Sequence, residues 1–344
     1  MEPSGKMKVI VTGGAGFIGS HTCVELVAAG MEPVIIDDFR NSEERVLDGL
    51  ARILGHQPRL HRIDCTDERA LDRVLAEEKP QGVIHFAADK AVGESVADPL
   101  KYYHNNIGSL VALLRAMAKH GLKDLVFSSS CTVYGHSDRL PVTEASPTGD
   151  AASPYGYTKV VCERILRDAC TADPALRVVV LRYFNPIGAH PSAAIGELPI
   201  GVPNNLVPFI TQAAAGLRGA LTVFGNDYPT RDGSCIRDYI HVVDLAKAHV
   251  AALHWIGKGH ASPCEVFNLG TGQGHTVLET VRTFEEVNGV KVPYVIGPRR
   301  AGDVVAMYAD TTKGREALGW HTELTLADAL RDAWRWQLAL GDQR

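Results

Sequence analysis

The chain has 344 residues, 45% of them hydrophobic and 22% charged, with 33 Gly and 18 Pro, which excludes a disordered or collagen-like chain and leaves a globular one. With 35 basic against 40 acidic residues the formal charge is −5, so no global field draws the protein to nucleic acid or to an anionic membrane, and any anionic ligand must be held by local chemistry. The length allows one large unit or two domains sharing a cleft.

Seven cysteines without a CxxC pair fit reduced thiols of a cytoplasmic protein better than a disulfide framework. The start, Met1-Glu-Pro-Ser-Gly-Lys6, carries an acid where a signal peptide needs positive charge. Residues 198–217 are uncharged over a bilayer-spanning length but hold Pro203, Asn204, Asn205 and Pro208; they predict a loop and helix start lining a pocket, with no membrane association.

In chain order, apolar β-branched runs recur at 9–12, 33–36, 82–85, 125–127 and 178–181, alternating with helical composition at 22–29 and 107–120. Runs apolar on consecutive residues are covered on both faces, so the pattern predicts an α/β fold: a doubly wound parallel (Rossmann) sheet with a smaller C-terminal α/β substrate domain. The expected division is a dinucleotide-binding domain over 1–184, with segments near 236–270 returning to it, and 185–344 mainly for substrate.

After the first run comes Thr12-Gly-Gly-Ala-Gly-Phe-Ile-Gly19, opening a helix. Gly13, Gly16 and Gly19 permit a tight turn and close approach to a pyrophosphate, and the helix N-terminus supplies unpaired N–H groups. Asp37 and Asp38, past the second run, can accept from ribose hydroxyls and repel a 2′-phosphate, favouring NAD over NADP. Arg40 reads as a solvated loop charge.

The fifth run ends in Ser128-Ser-Ser-Cys-Thr132, at the sheet edge where ligands of such folds bind. Tyr155 and Lys159 follow, four apart and so on one helix face. An ammonium near a phenol favours the phenolate, giving a general base, with Ser130 and Thr132 free to hydrogen-bond a substrate oxygen. Tyr157 points away from that face. The 14 histidines show no ligand spacing with a supporting carboxylate, so no metal is expected.

These residues resemble the extended short-chain dehydrogenase/reductase superfamily. The segments 90–95, 128–135, 181–186, 203–206, 224–230, 237–241 and 299–303 narrow the resemblance to the UDP-glucose 4-epimerase family, over nearly the whole chain. The resemblance implies an NAD-dependent isomerase of galactose metabolism that interconverts UDP-galactose and UDP-glucose. In it Tyr155 takes the 4-hydroxyl proton while hydride passes from C4 to tightly held NAD, and the 4-keto sugar turns over before the hydride returns. It further implies Phe17, Ile18, Asp37, Asn41, Ser42, Asp64, Cys65, Phe86, Ala87, Lys90, Asn105 and Phe184 at the cofactor, with Ser130, Tyr155 and Lys159 reaching it. Asn185, Asn205, Leu206, Thr222, Phe224, Arg237, Arg300 and Asp303 are implied at the UDP-sugar, with Met307 in the sugar pocket, and a homodimer through the helix over 107–120 and the helix bearing Tyr155. Two guanidinium groups from distant segments, Arg237 and Arg300, suit a diphosphate by bidentate pairing.

One departure is Asp89, where relatives usually carry an apolar residue; an acid near cofactor phosphates requires Lys90 or another cation to offset it. A 4,6-dehydratase, a UDP-glucuronate decarboxylase and a non-catalytic NAD-sensing regulator are the rival readings. Val133 and Tyr134 after Thr132 argue against the first, which needs an Asp-Glu pair there, and Tyr155 with Lys159 argues against the last.

Overall fold

The computed structural model describes residues 5–137, 139–259, 263–300 and 302–341. Residues 1–4, read above for a leader, and Ala301 of the 299–303 motif lie outside the described residues. Strand β1 (Lys8–Thr12) feeds helix α1 (Phe17–Ala28), followed by β2 (Glu32–Ile36), α2 (Arg45–Leu54), β3 (Arg59–His61), α3 (Glu68–Glu78) and β4 (Gly82–His85). Two short helices, α4 (Val92–Ala97) and α5 (Pro99–Tyr102), pass through a π-helical turn at Tyr103–Ile107 into α6 (Gly108–Lys119). Strand β5 (Asp124–Ser130) ends in a 3-10 turn, Cys131–Tyr134, and α7 (Pro154–Ala172) leads to β6 (Arg177–Tyr183). Then come β7 (Asn185–Ile187), α8 (Leu206–Ala214), β8 (Leu221–Phe224), β9 (Ile236–His241), α9 (Val242–Gly257) and β10 (Cys264–Leu269). The chain finishes with β11 (Gly274–Thr276), α10 (Val277–Asn288), β12 (Tyr294–Gly297), β13 (Ala306–Met307), α11 (Thr312–Leu318) and α12 (Leu326–Gly341).

Seven parallel strands form the central sheet in the order β10-β6-β5-β4-β1-β2-β3. Side chains alternate faces along each strand. Val9, Val11, Ile35, Ile84 and Val126 therefore pack on one side with α1 and α9, and Ile10, Val34, Ile36, Val83 and Leu125 on the other with α3, α6 and α7. This is the doubly wound parallel sheet that consecutive apolar residues predict. Strand β3 escaped prediction because an edge strand needs little apolar content, and Arg-Leu-His is only part-buried. Strand β10, from late in the chain, closes the other edge beside β6.

The remaining elements form smaller sheets. Strands β11-β9-β13, with β7 also on β9, make one, and β12-β8 make another. Their core of Ile187, Val207, Ile210, Leu221, Val223, Tyr239, Phe284 and Leu330 joins α8, α10 and α12. In the segment 198–217, Leu198, Pro199, Val207 and Pro208 line a narrow pocket against Trp336, and α8 starts after Asn205. Among the described residues no helix is long and apolar enough to cross a membrane.

Candidate active site

At the carboxyl end of β1 the backbone of Gly13 has φ +68, and a Cβ there would lie 2.9 Å from the Ala87 nitrogen, so only glycine fits. A Cβ on Gly19 would lie 2.3 Å from the Gly13 carbonyl oxygen. Helix α1 starts at Phe17 behind Gly16, which offers no side-chain cap, so its first-turn N–H groups are presented outward as an anion site. Ile18 follows in the same turn.

Asp37, just past β2, is buried. Its Oδ2 accepts from Ala15 N–H at 2.9 Å, and its Oδ1 from Phe39 N–H and Ser42 Oγ, both at 2.9 Å. Burial raises its pKa, and these three bonds oppose the rise. The carboxylate thus ties the glycine loop to the turn after β2, where Phe39 takes a left-handed φ of 63. That turn throws Arg40 across the ends of β2 and β3. Arg40 stays exposed, as expected of a loop charge, and is also paired: it donates to Asp38 Oδ2 (2.5 Å), to Asn105 Oδ1 (2.8 Å) and to Asp64. A planar guanidinium can serve all three acceptors at once. Cys65 is buried beside Asp64, and burial pushes its thiol pKa up.

Phe86 and Ala87 follow β4, and Asn105 lies buried in the π-turn. Asp89 is buried as well, with Oδ1 accepting from Asn41 Nδ2 at 2.8 Å. Lys90 does not offset it, because its ammonium turns to Glu197 Oε1 at 3.5 Å. Lys101 pairs instead with Glu94 Oε1 at 2.6 Å, which chiefly raises its pKa, with Asp89 contributing.

Helix α7 starts on Pro154 behind Ser153, whose Oγ accepts from Gly156 N–H at 3.2 Å, a favourable start that sets the register of Tyr155 and Lys159. Lys159 is buried; its Nζ donates to the Ser128 carbonyl at 2.7 Å and lies 5.0 Å from the Phe127 ring centre. Burial lowers its pKa to about 8, against lesser raising effects of Cys162 and Glu163. Desolvation pushes Tyr155 up to about 12, opposed by a hydrogen bond to Ser130. The expected depression of the phenol by Lys159 is therefore not expressed in the chain alone, because the ammonium is held by the β5 backbone instead. Ser130 Oγ accepts from Thr132 N–H (3.2 Å) and Thr132 Oγ1 (3.0 Å), which gathers Ser130 and Thr132 at the end of β5, and Gly156, next to Tyr155, packs on Thr132, where a Cβ would lie 3.3 Å from Thr132 Cβ. Tyr157 is exposed, facing away as its spacing predicts.

Behind this site, buried Arg182 on β6 pairs bidentately with buried Glu163 on α7 (2.8 and 2.6 Å), and Ser129 Oγ on β5 donates to the same carboxylate at 2.7 Å. The pair clamps the Tyr155 helix to two strands. Asn106 does similar work: its Nδ2 donates to the Asp89 carbonyl at 3.0 Å and to Thr158 Oγ1 at 3.1 Å. Sequence reasoning missed Glu163, Arg182, Asn106 and Glu197. The doubled Asn105-Asn106 was a usable signal; the others carry none, since their partners lie far away in the chain.

Across the cleft, Asp303 Oδ1 is shared by Arg300 Nη2 (2.8 Å) and Arg237 Nη2 (3.4 Å). Arg300 also lies over the Phe224 ring, 5.5 Å from its centre. Thr222 precedes Phe224 on β8, which pairs with β12. Asn205 Nδ2 donates to Glu197 Oε1 at 2.5 Å, so Glu197 joins Lys90 to the segment opening α8 at Leu206. Phe184 and Met307 are buried together with Val133 and Tyr134, with Met307 paired to Arg237 in the sheet register. Asn185 keeps its Oδ1 buried and without a partner. The structure thus brings the cofactor candidates to one sheet edge and both arginines to one carboxylate.

A glycine-loop crevice with Tyr and Lys one helical turn apart beside a serine-rich strand end defines an extended short-chain dehydrogenase/reductase. A model of the NAD dependent epimerase/dehydratase family matches residues 9–270. The UDP-glucose 4-epimerase of Bacillus subtilis (strain 168) is 51% identical over 331 residues, covering 96% of this chain and 97% of that protein. That of Mus musculus is 50% identical over 336 residues, with 96% of each covered. The crystal structure of UDP-glucose-4-epimerase from Stenotrophomonas maltophila with bound NAD and formylated UDP-arabinopyranose superposes with a TM-score of 0.95 at 48% identity, covering 98% of this chain and 100% of that one. The Bifidobacterium longum enzyme in complex with NAD+ and UDP gives 0.93 at 46%, with 98% and 100% covered. The chain belongs to the NAD dependent epimerase/dehydratase family and, within it, to the UDP-glucose 4-epimerases, which are NAD-dependent isomerases.

Proposed function

We propose that the protein interconverts UDP-galactose and UDP-glucose by inverting C4, with Tyr155 as the group that takes and returns the hydroxyl proton. The observation that carries this reading is the packing of the start of the Tyr155 helix on Thr132 beside Ser130 at the end of β5, where a Cβ on Gly156 would lie 3.3 Å from Thr132 Cβ, together with two arginines sharing Asp303. The crevice fits NAD: the cradle at Gly13 would be filled by a single Cβ, the N-terminus of α1 is uncapped, and Asp37 bars a 2′-phosphate. When bound, NAD supplies a hydride acceptor at C4 and a positive charge near the phenol.

This chain's residues do the rest. The glycine loop and α1 hold the cofactor diphosphate, and Asp37, Asp38, Asn41, Ser42, Asp64 and Asn105 frame its adenosine end. Tyr155 Oη accepts the 4-hydroxyl proton while Ser130 and Thr132 hydrogen-bond the same oxygen, and Tyr155 gives the proton back on the opposite face. Lys159, pinned to the Ser128 carbonyl, holds its amine beside this route, with burial lowering its pKa to about 8. Arg237 and Arg300 grip the UDP diphosphate so that the hexose can turn while the nucleotide stays. Buried Val133 and Tyr134 leave no acid or base where a 4,6-dehydratase needs one, and the hydroxyl of Tyr134 is spent on Asn268 at 2.6 Å.

The same reading places the protein in the cytoplasm as a homodimer. It is supported by cysteines that form no disulfide and by exposed Val92, Val96, Leu100 and Tyr157 on the face formed by α4, α5 and α7. Incubation with UDP-galactose and no added NAD should yield UDP-glucose. Its absence from protein that carries NAD would remove the epimerase reading, and a monomeric mass in sedimentation would remove the dimer.

A further inference from the structure

We propose that Cys170 and Cys264 form a redox modification site, a dithiol that hydrogen peroxide converts into a disulfide between the helix carrying Tyr155 and the edge of the central sheet.

Cys170 lies in the last turn of α7, and Cys264 opens β10, far away in the chain. Strand β10 runs beside β6 with Cys264 opposite Val178, and α7 packs over both strands. The two side chains meet in one apolar cluster, where Cys170 is buried and Cys264 is partly buried against it. Cys170 Sγ donates to the carbonyl of Pro263, the residue before Cys264, at 3.4 Å. Its S–H also hydrogen-bonds the Cys264 sulfur, so the two thiols are in contact.

Their surroundings divide the roles. The hydrogen bond from Cys170 lowers the pKa of Cys264 below that of an ordinary thiol, with Arg167 adding to the effect against desolvation, whereas Cys170, the donor, is raised. Cys23, Cys65, Cys131 and Cys162 are all pushed up by burial. A partly exposed, acidified thiol touching a second thiol is the arrangement that oxidises first and is then resolved to a disulfide. The Cys264 thiolate attacks one peroxide oxygen; the O–O bond breaks, the departing hydroxide takes up the proton the thiol released, and Cys264 becomes a sulfenic acid. The Cys170 sulfur then attacks the Cys264 sulfur, the S–O bond breaks, and hydroxide leaves with the Cys170 proton as water. Two thiols thus give up two electrons and two protons, and one peroxide is reduced to two waters. The new bond ties the far end of α7 to β10, beyond the Arg182–Glu163 pair that already holds this helix to β6.

The experiment treats the reduced holoenzyme with hydrogen peroxide at neutral pH, caps the remaining thiols with N-ethylmaleimide, and maps the peptides by mass spectrometry without reduction. The peptide linking Cys170 to Cys264 should be the dominant disulfide product, and dithiothreitol should return both thiols. The Cys264 thiol should be lost at least about fivefold faster than that of Cys23, which is 0% exposed and raised in pKa by burial. In Cys170→Ser the linked peptide should vanish and Cys264 should accumulate as a sulfenic acid that dimedone traps. In Cys264→Ser, loss of the Cys170 thiol should slow to within about twofold of Cys23. Equal loss of Cys264 and Cys23 in wild type overturns the proposal. So does a dominant disulfide between other cysteines, or Cys264 oxidised to sulfinic acid while Cys170 remains a thiol; these readings need no variant to fold.

Discussion

Tyr155→Phe removes one oxygen and leaves the ring, which packs edge-on to Tyr102 with centroids 6.5 Å apart. That packing is unchanged by the loss of the oxygen, so the fold should persist. Turnover is another matter. General acid–base transfer contributes about 10²–10⁴-fold, or roughly 3–5 kcal/mol of barrier. With its pKa at about 12, the phenol is ionised in about one molecule in 10⁴ at pH 8. Loaded enzyme must therefore lower that pKa, and its kcat should rise with pH through an apparent value well below 12. In the variant that pH-dependent limb should vanish, kcat should fall by at least about a hundredfold, and KM should change little, because the diphosphate grip lies with Arg237 and Arg300. The assay is conversion of UDP-galactose across pH 6 to 10, with retained nucleotide measured in parallel. Wild-type turnover in Tyr155→Phe, or a wild-type profile flat over that range, would refute the argument.

Lys159 supplies a test by folding stability. Its folded pKa of about 8 lies below its ordinary 10.5, so between these values the unfolded chain binds a proton that the folded chain does not. Its contribution to stability rises with pH across that window, and the melting temperature of wild type relative to Lys159→Met should climb from pH 7.5 to 10. Arg182→Met strands buried Glu163 and Ser129, so it should destabilise the protein by about 3–5 kcal/mol, seen as a lowered denaturant midpoint. Adding Glu163→Leu should recover much of that loss; a double variant no more stable than the single one would contradict the account of the clamp.

The sequence carried whatever depends on short-range spacing. Consecutive apolar residues at 9–12 and 33–36 mean burial on both strand faces, and that implies parallel pairing under helices. Gly13 and Gly16 sit between strand and helix and Gly19 in the first turn of that helix because backbone must pass close to backbone there: a Cβ on Gly19 would lie 2.3 Å from the Gly13 carbonyl oxygen. Tyr155 and Lys159 share a helix face by period alone. None of this depends on how distant segments meet.

What the tertiary structure decided lies between such segments. Arg40 reads as a loop charge, but its pairing with Asp64 and Asn105 comes from the left-handed turn at Phe39. The ammonium of Lys159 went to the Ser128 carbonyl and that of Lys90 to Glu197, and neither partner has any spacing to announce it. Asp89 could be flagged from its charge, but not that it bridges to Asn41 over the end of β1 with one oxygen left bare. Helix and strand periods are written in neighbouring residues, so they can be read directly. Hydrogen bonds between loops follow from strand order and turn handedness, which emerge only when the whole sheet is assembled.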